Sequence, residues 1–180
     1  MNKKISFKSK KKPALQDNAG ASILQEFVLR VSRVSKTTKG GRIPSFSAVV
    51  VIGNKEGRVG YGLGKANEAS KAILKGVEDA KKKLIDIKIP KGTIPHEVIG
   101  KFGSSTVKLF PASKGTGLVA GSAVRVGLEA AGVQDVLSKI IGSKNPVNVI
   151  RAVFDGFSKM RDALEISRVR KVSLDKVYNG

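Results

Sequence analysis

One short segment combines lysine and arginine side chains with hydroxyls and paired glycines, and it contains no acidic residue. It covers residues 33–42, between two stretches that read as β-strands. Cations and hydroxyls can bond to phosphate oxygens and sugar hydroxyls, while glycines let another backbone approach closely. The segment is therefore predicted to contact a nucleic acid, with two cations farther along the chain as second-tier candidates. The candidate residues are Arg33, Ser35, Lys36, Thr37, Thr38, Lys39, Gly40, Gly41 and Arg42, followed by Arg58 and Lys65.

The overall charge also favours a polyanionic partner. Among 180 residues, 34 are lysine or arginine and 14 are aspartate or glutamate, which gives a formal net charge of +20. So much like charge repels itself, and a bound nucleic acid would neutralise it. An anionic membrane is the weaker alternative, because no apolar run approaches the roughly 20 residues of a spanning helix. Aromatic residues make up 5% and tryptophan is absent, so phosphate and sugar contacts are favoured over base stacking.

Composition excludes several kinds of chemistry. The chain has no cysteine, which excludes disulfides, thiolate zinc sites and a cysteine nucleophile. His96 is the only histidine, so a multi-histidine metal site is excluded, and its neighbour Glu97 would point to the opposite face of an extended segment. We therefore expect no catalytic residues, no metal and no cofactor. The first residues lack the apolar core of a secretory signal, and a cytoplasmic location is expected.

The glycines near residue 60 suggest nucleotide binding, but they do not have the required spacing. A P-loop ending at Gly64-Lys65 would need glycine in place of Val59 and a hydroxyl in place of Ala66. A dinucleotide fingerprint starting at Gly60 would need a third glycine at position 65. Neither nucleotide motif is present.

A second glycine loop, residues 115–121, precedes small residues that read as a helix. A helix N-terminus with free N–H groups can hold a phosphate. The loop is similar to the phosphate loop of the small-molecule kinases that include galactokinase and homoserine kinase. Tight packing of the loop on its helix explains the same glycines, and this explanation is preferred because no catalytic acid and base accompany them. An ATP-binding kinase stays the less favoured functional hypothesis.

The residue pattern predicts an α+β chain with two domains. Residues 1–20 are a lysine-rich arm, expected to be disordered until bound. Residues 21–86 read as a β-β-β-α unit, with strands over 23–34, 45–52 and 58–63 and a helix over 65–84. Residues 87–162 form the second domain, and residues 163–180 a loosely held tail. Prolines on both sides of Gly92 mark the boundary.

The alternation of side chains along a strand predicts which residues share a face in each of the first three strands. Phe27, Leu29 and Val31 should share one face of the first strand. In the third strand, every second residue from 60 to 64 is glycine, so either the next helix or a nucleic-acid backbone can come close. One face of the second strand is predicted to carry Phe46, Ala48, Val50 and Ile52.

The second domain reads as strands and helices in alternation. Strands are predicted at 98–99, 106–110 and within 133–141, and a helix at 121–131 that ends at Gly132. Asn145-Pro146 predicts the start of another helix, with asparagine as the N-cap and proline in the first turn.

Several motifs in order resemble the bacterial small-subunit ribosomal protein S5 family. The resemblance spans residues 24–160, most of the chain. The motifs are RVSKT at 33–37, KGGR at 39–42, SFxA at 45–48, GRVGxGxGKA at 57–66, PAxxGTG at 111–117 and GSxNPxNV at 142–149.

The resemblance implies a first domain like a double-stranded-RNA-binding domain and a second with the α/β sandwich fold named after this family. It implies a non-catalytic structural component of the ribosomal small subunit that binds rRNA and supports translation and decoding accuracy. Residues 34–42 match the segment that reaches rRNA near the spectinomycin site, and the resemblance also implies mRNA near the entry path as a partner. Ribosomal proteins S4 and S8 are the implied neighbours, S8 through the second domain. The stretch that matches the S4 contact contains Phe102, Gly103, Ser104, Ser105, Thr106 and Lys108.

Two other functions stay open on the sequence. A free-standing RNA-binding regulator or chaperone would need the same basic segment. A small-molecule kinase would instead hold ATP at residues 115–121.

Overall fold

An antiparallel hairpin of β1 (Gln25–Thr38) and β2 (Gly41–Gly53) is the longest feature of the fold, in a computed structural model that describes residues 24–179. β3 (Arg58–Ala66) and the short β4 (Ile85–Asp86) complete a sheet of order β1-β2-β3-β4. α1 (Ala69–Lys81) covers one face of this sheet. The predicted basic arm, residues 1–20, lies outside the described residues.

β2 is buried on both of its faces. Ala48, Val50 and Ile52 are fully buried and pack with the apolar residues of α1, as the alternation predicts. Val49 and Val51 point the other way, into a core formed together with the second domain. Burial on both faces explains why this strand is an uninterrupted aliphatic run.

α1 lies directly on the glycine face of β3. A Cβ atom at Gly62 would lie 2.0 Å from the Gly76 carbonyl oxygen, and one at Gly64 would lie 1.9 Å from the Ala72 carbonyl oxygen. No side chain fits in so small a space. Of the two alternatives that the sequence left open, the helix occupies this face.

β1 departs from the predicted alternation at a bulge. Its pairing with β2 shifts between Val28 and Arg30, which leaves Leu29 as the extra residue. Phe27 and Leu29 pack against the shared core, whereas Val31 is 40% exposed. The prediction that Val31 shares their face is wrong, because one extra residue reverses the alternation that follows it.

The predicted bounds of the first helix are also wrong. Lys65 and Ala66 pair with Ser47 and Phe46, so they belong to β3. The helix starts only at Ala69 and ends at Lys81. Ladder hydrogen bonds to β2 therefore override the helix-forming preference of these two residues.

The second domain is a four-stranded sheet with two helices on one face. Its strands are β5 (Val98–Phe102), β6 (Ser105–Pro111), β7 (Leu118–Val119) and β8 (Val136–Gly142), in the order β5-β6-β8-β7. The helices are α2 (Ser122–Ala131) and α3 (Pro146–Lys159). Gly132 ends α2 with φ of 92°, and the Asn145 side chain accepts a hydrogen bond from the Val147 N–H at 3.3 Å. Both helix boundaries agree with the sequence prediction.

The C-terminal segment contains two short helices. These are α4 (Ala163–Arg170) and α5 (Leu174–Asn179), and α4 buries none of its residues. An ion pair of 3.0 Å between Lys88 and Asp162 joins the start of this segment to the chain between the domains.

Backbone hydrogen bonds join the two domains. The N–H groups of Lys55 and Gly57, in the turn between β2 and β3, donate to the Ala130 and Ala131 carbonyls at 3.1 and 2.9 Å. Buried residues of both domains, such as Val59 and Leu128, belong to one hydrophobic core. The base of the long hairpin therefore packs on a hydrophobic core that both domains form.

Candidate nucleic-acid interface

The basic segment is a two-stranded ribbon rather than a loop. β1 and β2 stay paired up to Thr38 and Gly41, so only Lys39 and Gly40 form the turn. β3 ends opposite Phe46, and five residue pairs lie beyond that point. At roughly 3.3 Å per residue the ribbon extends about 15 Å past the sheet. The predicted strand ends at residues 34 and 45 are wrong, because the ladder continues past both of them to the two-residue turn.

Every residue from 35 to 42 is exposed. The Thr38 hydroxyl donates to the Gly41 carbonyl at 3.0 Å and closes the turn. Gly41 has φ of 136°, a conformation that favours glycine. The tip is therefore a closed hairpin end with its cations directed into solvent.

The cations are divided between the two faces of the ribbon. Directly opposed residues share a face, and Thr37 is opposed by Arg42 while Lys36 is opposed by Ile43. Since side chains alternate along a strand, Arg42 and Lys36 lie on opposite faces, with Lys39 at the turn. Such a ribbon can meet phosphates on two sides at once.

The two second-tier cations occupy different places. Lys65 is exposed and pairs with Ser47, close to the root of the ribbon. Arg58 lies at the far end of the sheet, near Gly53, which is 12 residues from Gly41 along β2. That separation is about 40 Å. The structure therefore brings Lys65 towards the tip and leaves Arg58 away from it.

Arg58 also has an acidic partner. Its Nε and Nη2 donate to the two carboxylate oxygens of Asp86 at 2.8 and 3.3 Å. The hydrogen bond to Asp86 raises the pKa of Arg58, and the same bond lowers the pKa of Asp86. Part of the charge of Arg58 is thus already compensated within the chain.

The six predicted protein-contact residues lie in four environments. Gly103 and Ser104 form the exposed turn between β5 and β6. Ser105 is fully buried, and its hydroxyl donates to the Ser143 carbonyl at 2.7 Å, so it holds the fold together. Thr106 and Lys108 face outward from β6, on the side opposite the helices. Phe102 points towards α3, where the guanidinium of Arg151 lies 4.9 Å from the ring centroid.

The outer face of the second sheet is a surface that the sequence interpretation missed. It carries apolar side chains that are 40–53% exposed, and Lys108 lies directly opposite Lys139. The paired apolar residues on either side of Ser138 and Lys139 in β8 were the signal, because neighbouring strand residues point to opposite faces and one of each pair must therefore face outward. We call it the open sheet face, and its exposed apolar residues are Ile99, Val119, Leu137 and Ile141.

The second glycine loop already holds an anion from its own chain. The N–H groups of Gly115 and Gly117 both donate to one carboxylate oxygen of Asp135, at 3.1 and 2.7 Å. Asp135 is 6% exposed, and its carbonyl accepts from the Thr93 hydroxyl at 2.7 Å. A buried carboxylate of the same chain therefore already accepts from the N–H groups that this loop could offer to a phosphate.

Removing this carboxylate should destabilise the fold. Asp135→Ala leaves two N–H donors without a partner, and we expect the free energy of unfolding to fall by about 3 kcal/mol. Asp135→Asn keeps an acceptor oxygen and should lose less. Urea unfolding followed by circular dichroism measures both. Glu129→Ala, which removes an exposed carboxylate from α2, is the control. Equal midpoints for Asp135→Ala and Glu129→Ala would contradict the assignment.

Both ring nitrogens of His96 form hydrogen bonds with backbone groups. Its Nε2 accepts a hydrogen bond from the Arg161 N–H at 3.2 Å, so its Nδ1 carries the proton that is shared with the Glu97 carbonyl at 2.8 Å.

Between residues 24 and 179, no group of three or more acidic or histidine side chains is arranged to hold a metal ion. Within the same range, no helix combines the length and apolarity needed to cross a membrane.

Comparison with known proteins identifies the family. The family model "Ribosomal protein S5, N-terminal domain" matches residues 24–88, and "Ribosomal protein S5, C-terminal domain" matches residues 100–170. The chain is 52% identical over 157 residues to the "Small ribosomal subunit protein uS5" of Bacteroides thetaiotaomicron, covering 87% of this chain and 91% of that protein. The protein of the same name from Flavobacterium psychrophilum is 53% identical over 157 residues, with 87% and 90% coverage. That from Thermotoga neapolitana is 44% identical over 156 residues, with 87% and 88% coverage.

These matches confirm the resemblance inferred from the motifs, and with it the α+β fold of two domains. The chain belongs to the ribosomal protein S5 family.

Proposed function

We propose that this protein is a non-catalytic structural component of the small ribosomal subunit in the cytoplasm, and that it binds rRNA through the ribbon tip. The observation that carries the proposal is the ribbon itself. It extends about 15 Å beyond its sheet, its tip is fully exposed, and it has cations on both faces and no acidic residue. Relatives named as small-subunit proteins over nearly their whole length support the same assembly for this chain.

Electrostatics dominate the proposed contact. Arg33, Lys36, Lys39 and Arg42 meet phosphates, while the hydroxyls of neighbouring residues bond to phosphate oxygens or ribose 2′-hydroxyls. Each neutralised phosphate releases counterions, so four contacts give a salt slope of about −3 to −4. Lys65 adds a contact at the root of the ribbon, and Arg58 is a peripheral contact because of its distance and its pairing with Asp86.

Two further surfaces suit protein neighbours. The exposed turn at Gly103 and Ser104, next to Thr106 and Lys108, is the proposed contact with ribosomal protein S4. The open sheet face supplies exposed apolar area for S8. Through these contacts the protein supports decoding accuracy near the mRNA entry path.

Sedimentation tests the ribosomal assignment. In a sucrose gradient of cell lysate at high salt, the protein should co-migrate with small subunits, because many contacts within an assembled particle resist screening. A free-standing RNA chaperone or regulator would instead be released and stay near the top of the gradient. That second outcome would overturn the proposal. The same gradient at low salt is the control, since both kinds of protein would then associate with RNA.

A further inference from the structure

A cleft of about 390 Å³ opens where the two domains meet. The first domain contributes one side, around β3 and the end of α1, and the second contributes the other, around β5 and α3. The lining residues that matter here are Tyr61, Lys83, Phe102, Arg151, Phe154 and Asp155.

Arg151 is a charged group of this cleft that has no acidic partner among the described residues. Its Nε is fully buried and has no hydrogen bond, and within the described residues its guanidinium forms no ion pair. Lys83, by contrast, is paired with Asp79 at 2.7 Å. Arginine has only donors, and a buried donor without an acceptor is costly. The Nε–H of Arg151 therefore has no acceptor among the described protein groups.

Asp155, the acidic residue of the cleft, has hydrogen-bond partners within the chain. The carboxylate of Asp155 accepts from the Lys101 N–H at 2.9 Å and is paired with Lys159. Burial opposes ionisation of Asp155, but these hydrogen bonds outweigh it and lower its pKa. Asp155 is thus an ionised acceptor in the same cleft as the unpaired guanidinium.

Aromatic rings line the same cleft. The guanidinium carbon of Arg151 lies over the Phe102 ring, 4.9 Å from its centroid, and a planar guanidinium can bind an oxyanion through its N–H groups. Tyr61 and Phe154 pack edge to face, with ring centroids 4.7 Å apart. A ligand that fills the space needs an anion, a flat ring and a hydrogen-bond donor.

We propose that this cleft binds an unpaired nucleotide, with its phosphate on Arg151, its base against the aromatic walls and a base amino group on Asp155. A nucleotide carries all three features in one molecule, and unstacked bases bind to proteins in this way. A protein carboxylate would satisfy Arg151 alone and would bring no donor for Asp155. The site lies on a different surface from the ribbon tip, so it does not depend on the tip contact.

Nitrogen-15 NMR of the whole protein tests the site, with the ribbon tip disabled by Lys36→Glu and Arg42→Glu. The buried Nε–H of Arg151 is the reporter, titrated with AMP, adenosine, inorganic phosphate, tetra-adenylate RNA and N-acetylphenylalanine. We expect AMP to shift the reporter saturably and to bind about tenfold or more tightly than adenosine or phosphate. Tighter binding of the RNA identifies an RNA strand as the source, whereas tighter binding of AMP identifies a free nucleotide.

Variants give the decisive comparison, measured by equilibrium dialysis of labelled AMP. Arg151→Gln should weaken AMP binding about tenfold or more, whereas Arg161→Gln, an exposed arginine outside the cleft, should not. If Arg151→Gln fails to fold, Arg151→Lys keeps the charge, loses the planar fork and should also weaken binding. No saturable AMP binding, equal effects of the Arg151 and Arg161 variants, or preference for N-acetylphenylalanine over AMP would each overturn the proposal.

Discussion

Replacing Lys36 and Arg42 together by glutamate should weaken rRNA binding by roughly 100-fold while the fold stays intact. Each residue is exposed near the tip of the ribbon, and each contributes a charge-assisted contact of about 1.5 kcal/mol in the proposed complex. Losing both gives about 3 kcal/mol, which corresponds to that factor. Filter binding to small-subunit rRNA across a salt series measures the change. The salt slope should fall in magnitude by about 2, since two phosphate contacts are lost.

The single variants test whether RNA is bound on one side of the ribbon or on both. Lys36 shares a face with Ile43, and Arg42 shares the other face with Thr37. If both faces contact phosphates, each single variant should lower the magnitude of the slope by about 1. If only one face does, one variant will behave as wild type.

A matched control changes the same number of charges elsewhere. Lys71→Glu with Lys75→Glu alters the exposed face of α1 and produces the same net charge. It should change affinity far less than the tip variant. Unchanged affinity and slope in the tip variant, or an equal loss in the control, would exclude the ribbon from the interface.

Gly62→Ala should cost the protein a large part of its stability. The added Cβ would lie 2.0 Å from the Gly76 carbonyl oxygen and 2.5 Å from the Ala80 nitrogen, which are both backbone atoms of α1. Neither can move without shifting the helix away from the buried residues of β2. We expect a loss of about 3 kcal/mol or more, from a total of about 5–15 kcal/mol for a typical domain. Urea unfolding followed by circular dichroism measures it.

Substitutions at two other glycines should lower the stability less than Gly62→Ala does. A Cβ at Gly76 would lie 2.9 Å from a methyl group of Val50, a longer contact than the two backbone contacts at Gly62, so Gly76→Ala should cost less. Gly40 in the ribbon turn has no heavy atom within 4 Å of such a Cβ, so Gly40→Ala should leave the unfolding midpoint nearly unchanged. If Gly62→Ala is as stable as Gly40→Ala, the packing of α1 on the glycine face is wrong.

Local patterns predicted the parts of the fold that depend on neighbouring residues alone. Alternation assigned both faces of β2, because side chains on a strand repeat every two residues. The end of α2 at Gly132 and the start of α3 at Asn145 followed from capping preferences, which are also local. The bulge at Leu29 could not be read this way, because one inserted residue leaves no mark in composition.

The residues of the candidate sites were harder to place. Ser105 belongs to the predicted protein-contact stretch but is fully buried, since alternation in β6 turns it inward. Arg58 is as basic as Lys65, yet only Lys65 lies near the ribbon. Which surface a residue reaches depends on strand pairing, and that pairing joins parts of the chain far apart in sequence.

The sequence by itself determined the charge of this protein, the basic residues of its tip, the chemistry it excludes and its family. These depend on residue types and short motifs. Tertiary structure alone decided that the cations lie on both faces of a ribbon, that α1 covers the glycines of β3, and that Asp135 fills the second glycine loop. It also placed Arg151 in the cleft between the domains. The physical reason is that each of these features depends on strand register or on packing between segments, which residue types and short motifs do not specify.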